Sequence, residues 1–177
     1  KVRTGELDVG FGGYLQKDDM EFFPLSAQEL VIITPKQHPL AGIREVALAE
    51  LNHYPVIGYE KESWMGTYAK HLYKKYQVSP NMIVECPDEY SIVSLVRENF
   101  GIALMPRTDI LEQAVGINIH SLKGLEIYRQ VFMFWMKDRY RLPAVERFIE
   151  YMKTQQAEDA NDTENVSKIY LKDIVNF

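Results

Sequence analysis

Four histidines, one cysteine and a few paired carboxylates are the groups in this 177-residue chain that could do chemistry on a substrate. His38, His53, His71 and His120 stand far apart in the sequence. Each is flanked by proline, tyrosine or aliphatic residues, a setting ordinary for boundary histidines rather than for a base or a metal ligand. Cys86 is alone, so neither an internal disulfide nor a cysteine-based zinc site can form. Glu60 with Glu62, and Asp88 with Glu89, could share acid and base work; such pairs are more often charges at helix starts that answer the macrodipole. There is no G-x-S-x-G elbow, no H-E-x-x-H and no phosphate loop. Gly10-Phe11-Gly12-Gly13 lacks the third glycine, at Leu15, that a dinucleotide turn requires. The reading is therefore not an enzyme, with no cofactor and no metal.

Binding is what remains. In an open parallel sheet, ligands sit beyond the carboxyl ends of the strands, where helix N-termini present N–H groups and partial positive charge. Two such corners are expected. One is Tyr59-Glu60-Lys61-Glu62-Ser63-Trp64, and the other is Pro87-Asp88-Glu89-Tyr90-Ser91. Strand ends at Phe11-Gly12, Thr34-Pro35 and Met105-Pro106 are expected to face the same side. Thr34, Ser63 and Tyr90 supply hydroxyls, Glu62 a carboxylate, and Trp64 a broad apolar wall with one donor, a mixture suited to a small molecule. The plainer reading is that Ser63 and Asp88 only cap helices and that Trp64 is core.

The elements that must hold these corners follow from periodicity. Short apolar runs at 7–11, 30–34, 54–59, 82–86, 102–105, 117–122 and 131–136 read as strands. Met65, Tyr68, Ala69, Leu72, Tyr73 and Tyr76 form one helical stripe, with Lys70, Lys74 and Lys75 turned elsewhere. Asp88 opens a second helix that buries Ile92, Val93, Leu95 and Val96, and Gly101 is placed to end it in the left-handed conformation. Short helices are expected at 46–51 and 108–114, and a longer one from Pro143 to Met152. Residues 54–106 thus alternate strand and helix, the pattern of parallel strands joined by right-handed crossovers. After Lys153 the acidic stretch 154–165 reads as a linker, followed by a last stretch, Val166 to Phe177, with apolar residues at helical spacing.

Apolar residues make up 46% of the chain and charged ones 25%, enough to bury a core. Its length fits one domain or two small lobes. A net charge of −5 gives the chain no electrostatic reason to seek phosphate backbones by itself. The longest strongly apolar runs are far too short to span a bilayer, and one cysteine fits a reducing compartment, so no membrane partner and a cytoplasmic location are expected.

Four segments, in order and spacing, resemble the effector-binding domain of LysR-type transcriptional regulators. They are Thr4 to Phe11, Glu29 to Ala41 with its His38-Pro39-Leu40-Ala41, Ser91 to Pro106 with its Asn99-Phe100-Gly101-Ile102, and Val131 to Met152. The resemblance implies an α/β fold of the periplasmic-binding-protein-like (type 2) kind: two lobes with mainly parallel sheets and a hinge. It assigns 1–35 and 107–153 to lobe I, incomplete at its N-terminus, 36–106 to lobe II, and 154–177 to an acidic linker and tail. It further implies a small, anionic effector held at the positions matching Thr34, Glu62-Ser63 and Met105. DNA would be bound through an N-terminal winged helix-turn-helix that these residues do not include. The full regulator would be a homodimer or tetramer, with the helix over Trp64 to Tyr76 packed against a second subunit. A transporter's solute-binding protein is the alternative on the same fold.

Overall fold

A computed structural model describes residues 1–14, 17–159 and 169–170. In chain order the elements are β1 (Val9–Gly12), β2 (Met20–Pro35), β3 (Glu45–Val46), a 3-10 turn (Leu48–Asn52), β4 (Pro55–Tyr59), α1 (Trp64–Lys75), β5 (Asn81–Cys86), α2 (Glu89–Arg97) and β6 (Ala103–Pro106). Then come α3 (Asp109–Gln113), β7 (Ile117–Leu122), β8 (Ile127–Met136), α4 (Pro143–Asp159) and β9 (Ile169–Tyr170). Contacts group them into two compact units. One comprises Lys1–Ala27 with the chain from Gln130 through α4; the other comprises Gln28–Arg129 with β9.

The two helices that frame the predicted corners start and stop for visible reasons. Ser63 caps α1 by accepting from the Gly66 N–H at 3.0 Å, and Asp88 caps α2 by accepting from Ser91 N–H at 2.8 Å. Both end in the same C-terminal motif. Gln77 takes φ 54° after α1 while Val78 N–H reaches back to Tyr73 O at 2.9 Å; Asn99 takes φ 63° after α2 while Phe100 N–H reaches Leu95 O at 3.1 Å. The left-handed residue that stops α2 is thus Asn99 and not Gly101. Gly101 is required for another reason: a Cβ there would lie 2.5 Å from Pro55 O, because the chain crosses β4 at that point.

In the second unit, β2 is central. Its buried half, Leu30 to Pro35, pairs antiparallel with β6 (Val31 with Met105) and antiparallel with β7 (Val31 with Ser121). Parallel pairing joins β4 to β5, β3 to β7, and Val56 to Ile102. The strands β4, β5 and β6 therefore run the same way, as the strand–helix alternation requires, while β2 runs against them. The expectation of mainly parallel sheets thus holds for the β4 to β6 crossovers but not for the ladders that β2 makes. The core is continuous from Leu30 through Leu72, Ile92 and Met105 to Ile127.

The first unit is smaller. β1 pairs antiparallel with β8 (Val9 with Trp135), and Met133, Trp135 and Ile149 form its buried cluster. Tyr14, Phe22 and Phe132 stack beside it, with ring centroids 4.9 to 6.2 Å apart.

Several boundaries differ from the sequence reading. The division lies at Ala27/Gln28 and Arg129/Gln130, inside β2 and β8, rather than after Pro35 and Pro106. Apolar patterning marks the buried half of a long strand; it carries no signal for where that strand passes from one body to another. In the first half of β2, Met20 to Ala27, only Met20 is buried and Pro24 interrupts the run, so no continuous apolar stretch announces it. The segment expected as a helix at 46–51 forms a two-residue strand and a 3-10 turn. α4 continues through Asp159, so the acidic residues Glu158 and Asp159 are helical rather than linker. Residues 160–168 and 171–177 lie outside the described residues; Ile169–Tyr170, expected in a helical stripe, pair parallel with Ile127–Tyr128.

A candidate effector-binding edge

Because β4, β5 and β6 are parallel, their carboxyl ends share one edge of the second unit. Tyr59 and Cys86 are paired residues, and Glu60 N–H donates to Cys86 O at 3.1 Å. The two predicted corners, 60–63 and 87–88, are therefore neighbours. Ser63 Oγ donates to Glu60 O at 2.7 Å, which draws the first turn tight. Gly66 lets α1 settle on it, since a Cβ at that position would meet Glu60 O at 2.0 Å.

The same edge receives Gln28, from the unit's first residues of β2, and Arg129, from β8. Neither Gln28 nor Arg129 was singled out by the sequence reading, and Arg129 organises the cluster. Its Nη1 donates to Glu89 Oε1 at 3.0 Å, and its Nε donates to Gln28 Oε1 at 2.8 Å, with a second contact from Nη2 to the same oxygen. The guanidinium carbon stands 5.7 Å from the centre of the Trp64 ring. Tyr59 OH donates to Glu89 Oε1 at 3.3 Å. Burial first, and then the charge of Glu89, push the Tyr59 phenol well above its ordinary value, so it is a neutral donor at any physiological pH.

The Arg129 side chain is 11% exposed and that of Glu89 23%. A permanently charged guanidinium is thus held in that setting by one carboxylate and one amide. The Trp64 indole N–H is buried and has no acceptor. A buried donor left unpaired costs free energy that an incoming acceptor recovers. Among the described residues no group of three or more histidine, cysteine, aspartate or glutamate side chains is placed to hold a metal ion, and the hydroxyls, amide and guanidinium of the cluster can hold a small polar molecule.

The predicted site residues divide. Ser63 and Trp64 stand at the edge, Glu62 is exposed on the turn before them, and Met105 and Pro106 form the buried end of β6 there. Pro106 pairs with Leu30, two residues from Gln28. Tyr90 is at the start of α2 but 69% exposed, lining a surface hollow with Val93, Arg97 and Val115. Thr34 and Pro35 lie at the opposite end of β2, paired with Asn118 and Ile117. Thr34 is fully buried, donates to His120 Nε2 at 2.9 Å and accepts from Asn118 Nδ2 at 3.2 Å, while His120 Nδ1 contacts Ile43 O at 2.6 Å. That is a closed structural network. The antiparallel sense of β2, invisible in its sequence, carries Thr34 away from the edge. Phe11 and Gly12 belong to the first unit, where Phe11 meets Phe148 edge-on with centroids 6.4 Å apart.

The second unit of this α/β chain gathers strand ends and helix N-termini round a mostly buried guanidinium, the form of a small-molecule-binding domain. The model of the LysR substrate binding domain matches residues 1–157, and the chain belongs to that family. The fold is the type 2 periplasmic-binding-protein-like fold. The effector-binding domain of QuiR in complex with shikimate superposes with a TM-score of 0.82 at 23% identity, covering 89% of this chain and 75% of that one. The regulatory domain of CcmR from Synechocystis PCC6803, in complex with 2-PG, gives 0.78 at 18% identity over 88% and 76%. Among curated relatives, the HTH-type transcriptional regulator CysL of Bacillus subtilis is 23% identical over 160 residues, 80% of this chain and 54% of its own. The uncharacterized regulator YybE of the same organism is 24% identical over 153 residues, 86% of this chain and 52% of its own. The chain thus spans about half the length of the curated relatives it matches. Both are named as HTH-type transcriptional regulators.

Proposed function

We propose that this chain is the effector-sensing part of a LysR-type regulator acting in the cytoplasm, and that the effector is a small anionic metabolite bound at the Arg129 edge. The observation that carries the reading is Arg129 itself, mostly buried, stacked on Trp64 and shared between Gln28 and Glu89. An effector carboxylate or phosphate would take the place of Glu89 on the guanidinium fork, and Trp64 Nε1 would donate to a second acceptor. Ser63, Glu62, Tyr90 and the strand end at Met105–Pro106 shape the surroundings. Thr34 and Pro35 contribute by holding the sheet, and Phe11 and Gly12 are left for the first unit's own test. The superposing QuiR domain is in complex with shikimate, a small carboxylate, which fits an anion at Arg129. DNA contact through a separate helix-turn-helix domain agrees with the relatives' names and with their length, and the full regulator would assemble as a dimer or tetramer.

The effect on transcription follows from linkage. If the effector prefers one arrangement of the units, it shifts that equilibrium by its difference in affinity, and about 1–3 kcal/mol is typical of such coupling. Isothermal calorimetry with a panel of small carboxylates and phosphates tests the reading. R129Q is expected to weaken the best ligand about tenfold or more, the loss of one charge-assisted contact. W64F should weaken it less, by removing only one donor. A ligand held equally well by R129Q would refute the assignment.

A further inference from the structure

Between α1 and the β4–β5 strands lies a cavity of about 400 Å³, whose lining includes Tyr59 but not Arg129, Glu89, Gln28 or Trp64. We propose that it is a second small-molecule site, and that it takes an amphipathic carboxylate: an apolar body of one ring or a short branched chain ending in a single anion. The inference goes beyond the effector reading and does not depend on it.

The space exists because of where small residues fall. Gly66, Ala69, Tyr73 and the two lysines Lys70 and Lys74 recur at helical spacing on the side of α1 that lines the cavity. Ala69 adds only a methyl on that side, while Gly66 lies close against the Glu60 backbone. Across from them Gly58 on β4 has no side chain either, and its place is covered by Met82 from β5: a Cβ on Gly58 would lie 2.2 Å from the Met82 methyl. A thioether laid over a glycine is a wall that can shift to fit what enters. Leu104 and the Tyr73 ring complete an apolar interior, and the volume is in the range of ligand pockets, which run from about 300 to 1,000 Å³.

The mouth has the opposite character. Lys70 and Lys74 sit one turn apart at the rim, and among the described residues neither forms a salt bridge. The third cation there, Lys61, is already matched by Glu85 at 2.8 Å. In a chain of net charge −5, two uncompensated ammonium groups beside an apolar hollow are a local excess of positive charge. Their long stems can swing over a bound carboxylate. An apolar pocket with cations only at its lip selects a ligand with one charged end, and disfavours both neutral molecules and polyanions such as sugar phosphates.

The test uses the chain labelled with 13C at its methionine methyls and titrated with 3-phenylpropionate, with 3-phenylpropanamide as the neutral control. The Met82 methyl signal is expected to shift on titration with the acid, and more weakly with the amide. K70Q/K74Q changes only rim residues and should leave the fold unaltered. It is expected to weaken the acid about fivefold to tenfold, the sum of two exposed charge contacts, while leaving the amide unchanged. R129Q should leave the Met82 titration as it is in the parent. An unmoved Met82 signal at millimolar acid, or equal binding by the parent and K70Q/K74Q, would overturn the second site. Loss of the Met82 response in R129Q would overturn it too, by assigning the probe to the effector edge. Failure at R129Q in calorimetry with a true effector would instead count only against the proposed function.

Discussion

The two units of this chain are held together by different means. The second has one continuous buried core, from Leu30 on β2 to Ile127 on β8, and its sheet is covered by helices with capped ends. The first has, among the described residues, a buried cluster of Met133, Trp135 and Ile149. Buried apolar area is the dominant favourable contribution to folding, so the larger core gives the second unit the means to be the more stable, cooperative body of the described residues. A binding edge built on the stable unit, from residues fixed by caps and a salt bridge, is preorganised. One built on the other unit would have to be ordered on binding.

The comparison can be broken most directly in the cores. Leu72→Ala, at a fully buried position of α1, is expected to cost about 2–5 kcal/mol in denaturant unfolding. Phe148→Ala, on the exposed side of α4, should cost about 1 kcal/mol or less. Equal losses would mean that the units share one core. Next in size is R129Q, which leaves Glu89 without its cation in a partly buried place; about 1–3 kcal/mol of stability is expected to go, with the loss reduced in R129Q/E89Q. Ser63→Ala removes the cap of α1 and should cost about 1 kcal/mol, seen as faster amide exchange in the first turn of that helix and not in α4.

The smallest effect is a pH dependence. Burial, and then the nearby charge of His120, hold His38 below the ordinary histidine value. Its Nδ1 accepts from Leu40 N–H at 3.3 Å, a bond that protonation would remove. With the folded pKa depressed, the unfolded chain takes up the proton first. The contribution to stability is complete above the ordinary value and is lost as pH falls through it toward the lowered one. Melting temperatures measured across that interval should fall more steeply for the parent than for H38Q. Identical slopes would show that His38 is not the group responsible.

How much of this was legible beforehand depended on how local the signal was. Caps, the α1 stripe, the β4 to β6 alternation and the corners at Ser63 and Asp88 are set by neighbours a few residues apart, and all appear where the periodicity puts them. The stop of α2 was missed by two residues because asparagine tolerates the left-handed region nearly as glycine does, and Gly101 had a separate duty against Pro55. Arg129 was missed because a single basic residue before the apolar run Val131 to Met136 looks like any solvated strand end. Only its meeting with Gln28, about a hundred residues earlier in the chain, makes it a site.

The sequence alone determined which segments become strand or helix and where the N–H-rich helix starts fall, since these depend on propensity, capping and burial over one or two turns. It also determined a net charge of −5. The tertiary structure decided the sense in which β2 pairs, and with it that Thr34 closes a buried network while Gln28 and Arg129 reach the ligand edge. Pairing sense and cross-chain contact come from the packing of whole elements against one another, a free energy spread over many distant residues and written in none of them singly.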